Sequence, residues 1–213
     1  MRPSHPGNIG AAARAIRTMG FMRMVLVAPH KYPHADATAM AAGADDVLER
    51  IVVVPTLVDA IADCTFALGC SARRRGVPLP ELAPREAAVQ ATQTAAAGGQ
   101  VAVVFGNERT GLENDELMRC QVAVHIPSDP TYSSLNLAQA VQVLAYELRL
   151  TQLEALAEPA AAMKSDPPAT AEQMEYFFAH LSQTLKDIDF HKGRSPVTIE
   201  CRLHRLFNKA GLD

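Results

Sequence analysis

Short apolar runs rich in β-branched residues alternate with Ala-rich stretches of helical periodicity along most of this chain. The runs Met24–Ala28, Ile51–Val54, Phe66–Gly69, Val101–Phe105 and Val122–Ile126 predict strands. Helices are predicted over Ile9–Met19, Thr56–Asp63, Arg85–Ala97, Asn114–Arg119 and Ser134–Leu156. Strands that are apolar on both faces and separated by helices imply an α/β fold, a mainly parallel sheet with helices on both faces. In such sheets ligands bind beyond the carboxyl ends of the strands. The unusual polar loops of this chain fall there, after Leu68-Gly69, after Val104-Phe105 and after His125-Ile126.

The segment from Glu158, with Pro159 and the pair Pro167-Pro168, reads as a linker over residues 158–169 that closes a first domain of residues 1–157. Two helices, Thr170–Lys186 and Pro196–Lys209, then form a C-terminal extension over 170–213. Met174, Phe177, Phe178, Leu181 and Leu185 recur at helical spacing, the mark of a face packed on a partner surface.

At 213 residues and 48% apolar, the chain is large enough for one cored domain and an appendage. Its four cysteines (Cys64, Cys70, Cys120, Cys201) have neither metal-ligand spacing nor a paired framework, which fits reduced thiols in the cytoplasm and no metal. No apolar run approaches a membrane span, and no signal peptide opens the chain. The net charge of −3 hides three basic clusters. Residues 1–35 hold Arg2, Arg14, Arg17, Arg23 and Lys31. Arg73-Arg74-Arg75 follows a strand end, and Lys186, Lys192, Arg194, Arg202, Arg205 and Lys209 crowd the C-terminus against only Asp187, Asp189 and Glu200. Each cluster alone reads as solvated surface; together they suggest a face for a polyanion such as RNA rather than DNA.

Three blocks carry candidate chemistry. In Thr131–Ala140 a helix is expected to open on Ser133 and Ser134, with Asn136 two residues further on. The serines suit a cap, whereas Asn is a poor interior helix residue, so cap and site both stand open. Val103–Leu112 contains Gly106-Asn107-Glu108-Arg109-Thr110-Gly111. The spacing is that of a phosphate loop, but Leu112-Glu113 stands where Lys and Ser or Thr are needed, which excludes one. The glycines suit a tight turn with close backbone approach to a ligand. The third block, His5-Pro6-Gly7-Asn8-Ile9-Gly10 through Arg17, is a turn into a helix whose small residues allow close packing, with Arg14 and Arg17 on one face.

Read together, the blocks resemble the three motifs of the SpoU branch of the SPOUT RNA 2′-O-methyltransferases: an Asn-x-Gly-x-x-x-Arg entry, a Phe-Gly-x-Glu-x-x-Gly turn and a Ser-Leu-Asn helix start. The wider match includes Ala41-Ala42-Gly43-Ala44, Ser71-Ala72-Arg73 and Leu203–Asn208, and is most similar to the members acting on nucleotide 32 of the tRNA anticodon loop. The resemblance implies a SPOUT fold with a deep C-terminal trefoil knot, a homodimer, S-adenosylmethionine as cofactor and tRNA as partner. It implies cofactor contacts from Cys70, Ser71, Ala72, Gly106, Ile126, Ser133, Ser134 and Leu135. Catalytic positions map to Arg14, Asn8, Asn136, Ser134 and Glu108, and RNA contacts are expected from Arg17, Arg73, Arg74 and Arg75. An RNA-binding protein without catalysis and an rRNA methyltransferase are the alternatives. Three departures accompany the match. Met1-Arg2-Pro3-Ser4 does not read as the buried strand with which such chains begin, so a first strand is expected to be missing. The sequence stops soon after Asn208-Lys209, where the family usually adds a helix, and Cys70 stands where a hydroxyl residue is common.

Overall fold

The computed structural model describes residues 1–72, 79–157, 169–192, 195–210 and 212. Among the described residues the strand pairs are parallel, in keeping with the mainly parallel sheet expected, but they form two sheets instead of one. β1 (Val25–Val27) pairs with β2 (Val52–Val54), and a second sheet has the order β4-β6-β3-β5. Its strands are β3 (Phe66–Cys70), β4 (Glu81–Leu82), β5 (Val101–Phe105) and β6 (Val122–Val124). β4 was not expected, because two residues carry no periodicity. Residues 1–3 lie where the two sheets meet. The Met1 nitrogen donates to the Phe105 carbonyl at the end of β5 (2.7 Å), and the Arg2 N–H donates to the Val27 carbonyl at the end of β1 (2.8 Å). Arg2 also bonds Glu113 (3.0 Å) and the buried carboxylate of Glu116.

Helices cover both faces of the larger sheet. Ala67 of β3 points into a core with α4 (Leu57–Ile61), Leu112 and α6 (Asn114–Met118). The next residue, Leu68, joins the opposite core with Ala87 and Ala91 of α5 (Pro84–Ala96) and Leu144 of α7 (Leu137–Ala157). The alternation follows from the period of two along a strand. Before these elements come α1 (Pro6–Thr18), α2 (Ala35–Ala41) and α3 (Asp45–Leu48). The sequence Ala-Asp-Ala-Thr-Ala-Met-Ala of α2 has no apolar stripe, so it was missed. Its Ala37 packs with Ile9 of α1 and Leu26 of β1. α1 also lies on α7, through Ala12 and Ala15 against Ala138 and Val141.

α8 (Ala171–Asp187) and α9 (Pro196–Ala210) are close to their expected limits. The expected linker, apart from Ala169, lies outside the described residues. α8 is tied to the α/β body, with Ala171 and Glu172 donating to the Cys64 and Ala62 carbonyls (2.5 and 3.2 Å). One expected boundary is corrected here. α7 begins at Leu137, not Ser134, and neither serine caps it.

Candidate active site

Three loops leave the carboxyl ends of adjacent parallel strands. The register sets Cys70 of β3 beside Phe105 of β5 on one side and Val124 of β6 on the other. Cys70-Ser71-Ala72, Gly106 and Ile126 therefore emerge side by side. Cross-links hold them: Ser71 N–H donates to the Val124 carbonyl (3.0 Å), and His125 Nδ1 meets the Ser71 carbonyl at 3.2 Å. Burial pushes the Cys70 thiol up to about 12, so it stays protonated and unreactive at neutral pH. Gly106 is required by its own loop. A Cβ there would lie 2.0 Å from the Gly111 carbonyl carbon, and Asn107 and Gly111 exchange backbone hydrogen bonds of 3.3 and 2.8 Å. The close approach expected toward a ligand is thus made first to the Gly111–Leu112 backbone.

Glu108 follows that turn and gathers the first block. Its Oε2 accepts from the Ser4 N–H and the Ser4 hydroxyl, both at 2.9 Å. Its Oε1 accepts from the His5 N–H (3.2 Å) and from Asn8 Nδ2 (3.1 Å). Burial alone would raise the carboxyl pKa, but bonds from Ser4 and Asn8, with one from Glu108's own backbone, overcome it and hold the value at about 2. A carboxylate so saturated is an anchor, not a general base.

The anchor extends to the third block. Asn8 Oδ1 accepts from Asn136 Nδ2 (3.0 Å), and Asn136 Oδ1 accepts from the Ala138 N–H (2.9 Å). Asn136 N–H donates to Gln139 Oε1 (3.3 Å). Asn136 is therefore the N-cap of α7 and Gln139 its reciprocal partner, a capping box. This corrects the reading of Asn136 as an interior helix residue. Ser133, Ser134 and Leu135 lie ahead of the helix in an irregular approach. The Ser133 carbonyl accepts from Ser128 Oγ (3.1 Å), whereas the exposed Ser134 hydroxyl has no partner among the described residues.

Arg14 projects from α1 two turns beyond Asn8. It is exposed, and its guanidinium has no ion pair or hydrogen bond among the described residues. Arg17, expected to share an RNA-facing role, is engaged by Asp46 at 2.8 Å. Arg73, Arg74 and Arg75 lie outside the described residues. No group of three His, Cys, Asp or Glu that would hold a metal ion occurs among the described residues.

The SpoU rRNA Methylase family model matches residues 1–146, and the TrmJ tRNA methyltransferase C-terminal domain model matches residues 172–213. The chain belongs to the SpoU methylase family. A relative in Pseudomonas aeruginosa, described as "tRNA (cytidine/uridine/adenosine-2'-O-)-methyltransferase TrmJ", is 47% identical over 98% of this chain and 84% of its own length. The Sodalis glossinidius TrmJ is 45% identical over 97% and 81%. Among solved structures, TrmJ from Z. mobilis superposes with a TM-score of 0.85 at 34% identity, covering 100% of this chain and 89% of that one. The SpoU methyltransferase AviRb from Streptomyces viridochromogenes, in complex with AdoMet, shares the fold at 21% identity and a TM-score of 0.58, covering 72% and 58%.

In this SpoU chain, sequence reasoning missed Ser4, His125 and Gln139. Ser4 meets a partner 104 positions away, so no local pattern announces it. His125 sits in a recognised strand end and bridges two loops that come together only through the sheet. Gln139 had a signal: Asn followed three residues later by Gln is the sequence form of a capping box.

Proposed function

We propose that this chain methylates a ribose 2′-hydroxyl in tRNA, at nucleotide 32 of the anticodon loop, with S-adenosylmethionine as the methyl donor. Support comes from the 2′-O-methyltransferase names of relatives that align over nearly the whole chain. The observation that carries the reading is the joining of three motif loops. Asn136, Asn8 and Glu108 connect α7, α1 and the turn after β5, and Arg14 lies on the same α1 helix, unpaired among the described residues.

The strand ends fit an adenosyl ligand. The main chain at Cys70–Ala72, Gly106, Ile126 and Ser133–Leu135 borders the strand ends, and half-buried Ile126 and Leu135 offer apolar surface. The Ser71 N–H is already given to Val124, and the Ser71 and Ser133 carbonyls are already bonded to His125 and Ser128. When bound, the cofactor supplies an electrophilic methyl group on a sulfonium. The protein's own task is to align the ribose oxygen and let it lose a proton. A guanidinium offers hydrogen-bond donors and no acceptor, so Arg14 clamps an adjacent RNA phosphate bidentately and orients the ribose. The proton passes to a phosphate oxygen or to water. Glu108, Asn8 and Asn136 hold the loops in place instead of exchanging protons.

Other parts of the reading have their own support. His125 bonds both Ser71 and Leu82, and β6 lies between β3 and β4. The residue after β6 is thus bonded to Ser71 beyond β3 on one side and to β4 on the other, which is compatible with a knotted C-terminus. Tyr146, Leu153 and Leu156 are exposed along α7 (49, 46 and 79%), an apolar stripe suited to a second copy in a homodimer. The four cysteines are free thiols, which fits the cytoplasm. Among the described residues no helix is long and apolar enough to cross a membrane.

The test is tritium transfer from labelled S-adenosylmethionine to tRNA, with the methylated nucleotide mapped by mass spectrometry. Nucleotide 32 is the expected product; methylation of rRNA alone, or cofactor-free RNA binding without transfer, would replace this reading. Arg14→Ala is expected to lower kcat by about 100-fold or more and to leave cofactor affinity within a few-fold. Turnover near the wild-type rate would remove Arg14 from the reaction.

A further inference from the structure

We propose that Ser4 is a positioning residue for methyl transfer, acting through a directional chain of hydrogen bonds that runs from Glu108 to the N-terminus of α7. The proposal rests on the methyl-transfer reading above and assigns a residue that lies outside the three motif blocks. Ser4 approaches Glu108 with two donors on one oxygen, its N–H and its hydroxyl, each at 2.9 Å. That pair fixes the carboxylate, and the other oxygen takes His5 N–H and Asn8 Nδ2.

The direction follows from the chemistry of the groups. An ionised carboxylate only accepts, so Asn8 must turn its NH2 toward Glu108 and its carbonyl the other way. That carbonyl then receives Asn136 Nδ2 at 3.0 Å, which leaves Asn136 Oδ1 for the Ala138 N–H at 2.9 Å. Each amide has one orientation because the charge at the start permits no other. The chain of bonds joins the helix that carries Arg14 to the residue that follows Ser133-Ser134-Leu135. Its orientation therefore sets the cofactor loop relative to the arginine.

A neutral amide in place of the Glu108 carboxylate would undo this order. With its NH2 facing Asn8, the Asn8 amide must flip, the Asn136 amide must flip in turn, and an N–H would face the Ala138 N–H at the helix start. With its NH2 on the other side, it meets the Ser4 N–H. Glu108→Gln is thus expected to lower kcat by about 100-fold although size is unchanged.

Ser4 provides the sharper test. In the full chain, Ser4→Ala removes one donor and leaves the main-chain bond. Its kcat for tRNA methylation is expected to fall about tenfold, while S-adenosylmethionine affinity by calorimetry stays within about twofold and Tm within about 2 °C. Ser4→Thr, which keeps the hydroxyl, is expected to restore kcat. The proposal is overturned if Ser4→Ala turns over at the wild-type rate, if kcat falls only in step with Tm, or if Ser4→Thr is as slow as Ser4→Ala while equally stable. A wild-type chain that binds the cofactor but methylates no RNA overturns the methyl-transfer reading itself, and this proposal with it.

Discussion

Glu108 carries more of the site's order than any other side chain, and its charge makes it sensitive to acid. Two oxygens accept from Ser4, His5 and Asn8, and the pKa lies at about 2, against an ordinary value of 4.5. A depressed carboxyl pKa adds stability that is fully present above the unfolded value, near 4.5, and disappears as pH falls through about 2. Because the group is partly exposed, solvent screening leaves a contribution of about 1 kcal/mol, well below the full linkage value. Urea melts at pH 7, 4 and 3 are expected to show wild-type stability falling across that window more steeply than that of Glu108→Gln. Equal slopes would mean that the four donors stabilise the ionised and neutral carboxyl alike. At this scale the sequence was half legible. Asn136 stands out as an amide between leucines, while Arg14, Asn8 and Glu108 come from motif positions of the family resemblance, and the structure joins Asn8, Asn136 and Glu108 by hydrogen bonds. Their roles were not legible, since whether an amide reacts or braces depends on partners 100 and 128 positions away.

Packing between elements turns on small residues, most sharply at Gly10. A Cβ on Gly10 would lie 1.9 Å from the Ala37 carbonyl oxygen of α2, so α1 and α2 pack backbone to backbone. Gly10→Ala should gain about 1 kcal/mol from helix propensity and lose more by forcing two backbones apart. Overpacking costs about 1–3 kcal/mol in general, and a contact this short against rigid backbone belongs at the upper end. A net loss of about 2 kcal/mol in urea unfolding is expected; a stabilised variant would mean that α2 moves away freely. The sequence predicted close packing by α1 from its run of glycine and alanine but did not reveal the partner, because α2 has no apolar stripe of its own. For the same reason the five apolar strands were found and the division into two sheets was not. Apolar runs announce that a segment is buried, while strand order depends on which edges meet.

Across the whole molecule, acidic residues neutralise many of the arginines. Arg2 bonds Glu113 and Glu116, Arg17 bonds Asp46, Arg23 bonds Asp63, Arg85 bonds Glu147 and Glu154, and Arg119 bonds Glu175. Arg14 on α1, Arg109 in the turn after β5, and Arg202 and Arg205 on α9 are exposed and have no such partner among the described residues. On α9 the separation of charge from packing is clean. His204 stacks on Phe178 (ring centroids 3.6 Å apart), Phe207 meets Phe177 edge-on (4.7 Å), and the helix's single carboxylate, Glu200, bonds Ser182 at 2.6 Å. Arg202, Arg205 and Lys209 fall on the opposite side, three and seven residues apart along one exposed face. A net charge of −3 gives no general attraction for RNA, so binding must come from local cationic surfaces such as this one. Each phosphate neutralised releases counterions and steepens the fall of affinity with salt. Replacing Arg202, Arg205 and Lys209 with alanine is therefore expected to make the slope of log affinity against log salt shallower by about 2, with tRNA affinity about 30-fold weaker at physiological salt. Cofactor affinity and kcat at saturating tRNA should hold, because α9 contributes no group to the strand ends. An unchanged slope would assign the RNA contacts to the α/β domain alone. A changed kcat with an unchanged slope would instead mean that α9 acts through its packing on α8 and α6.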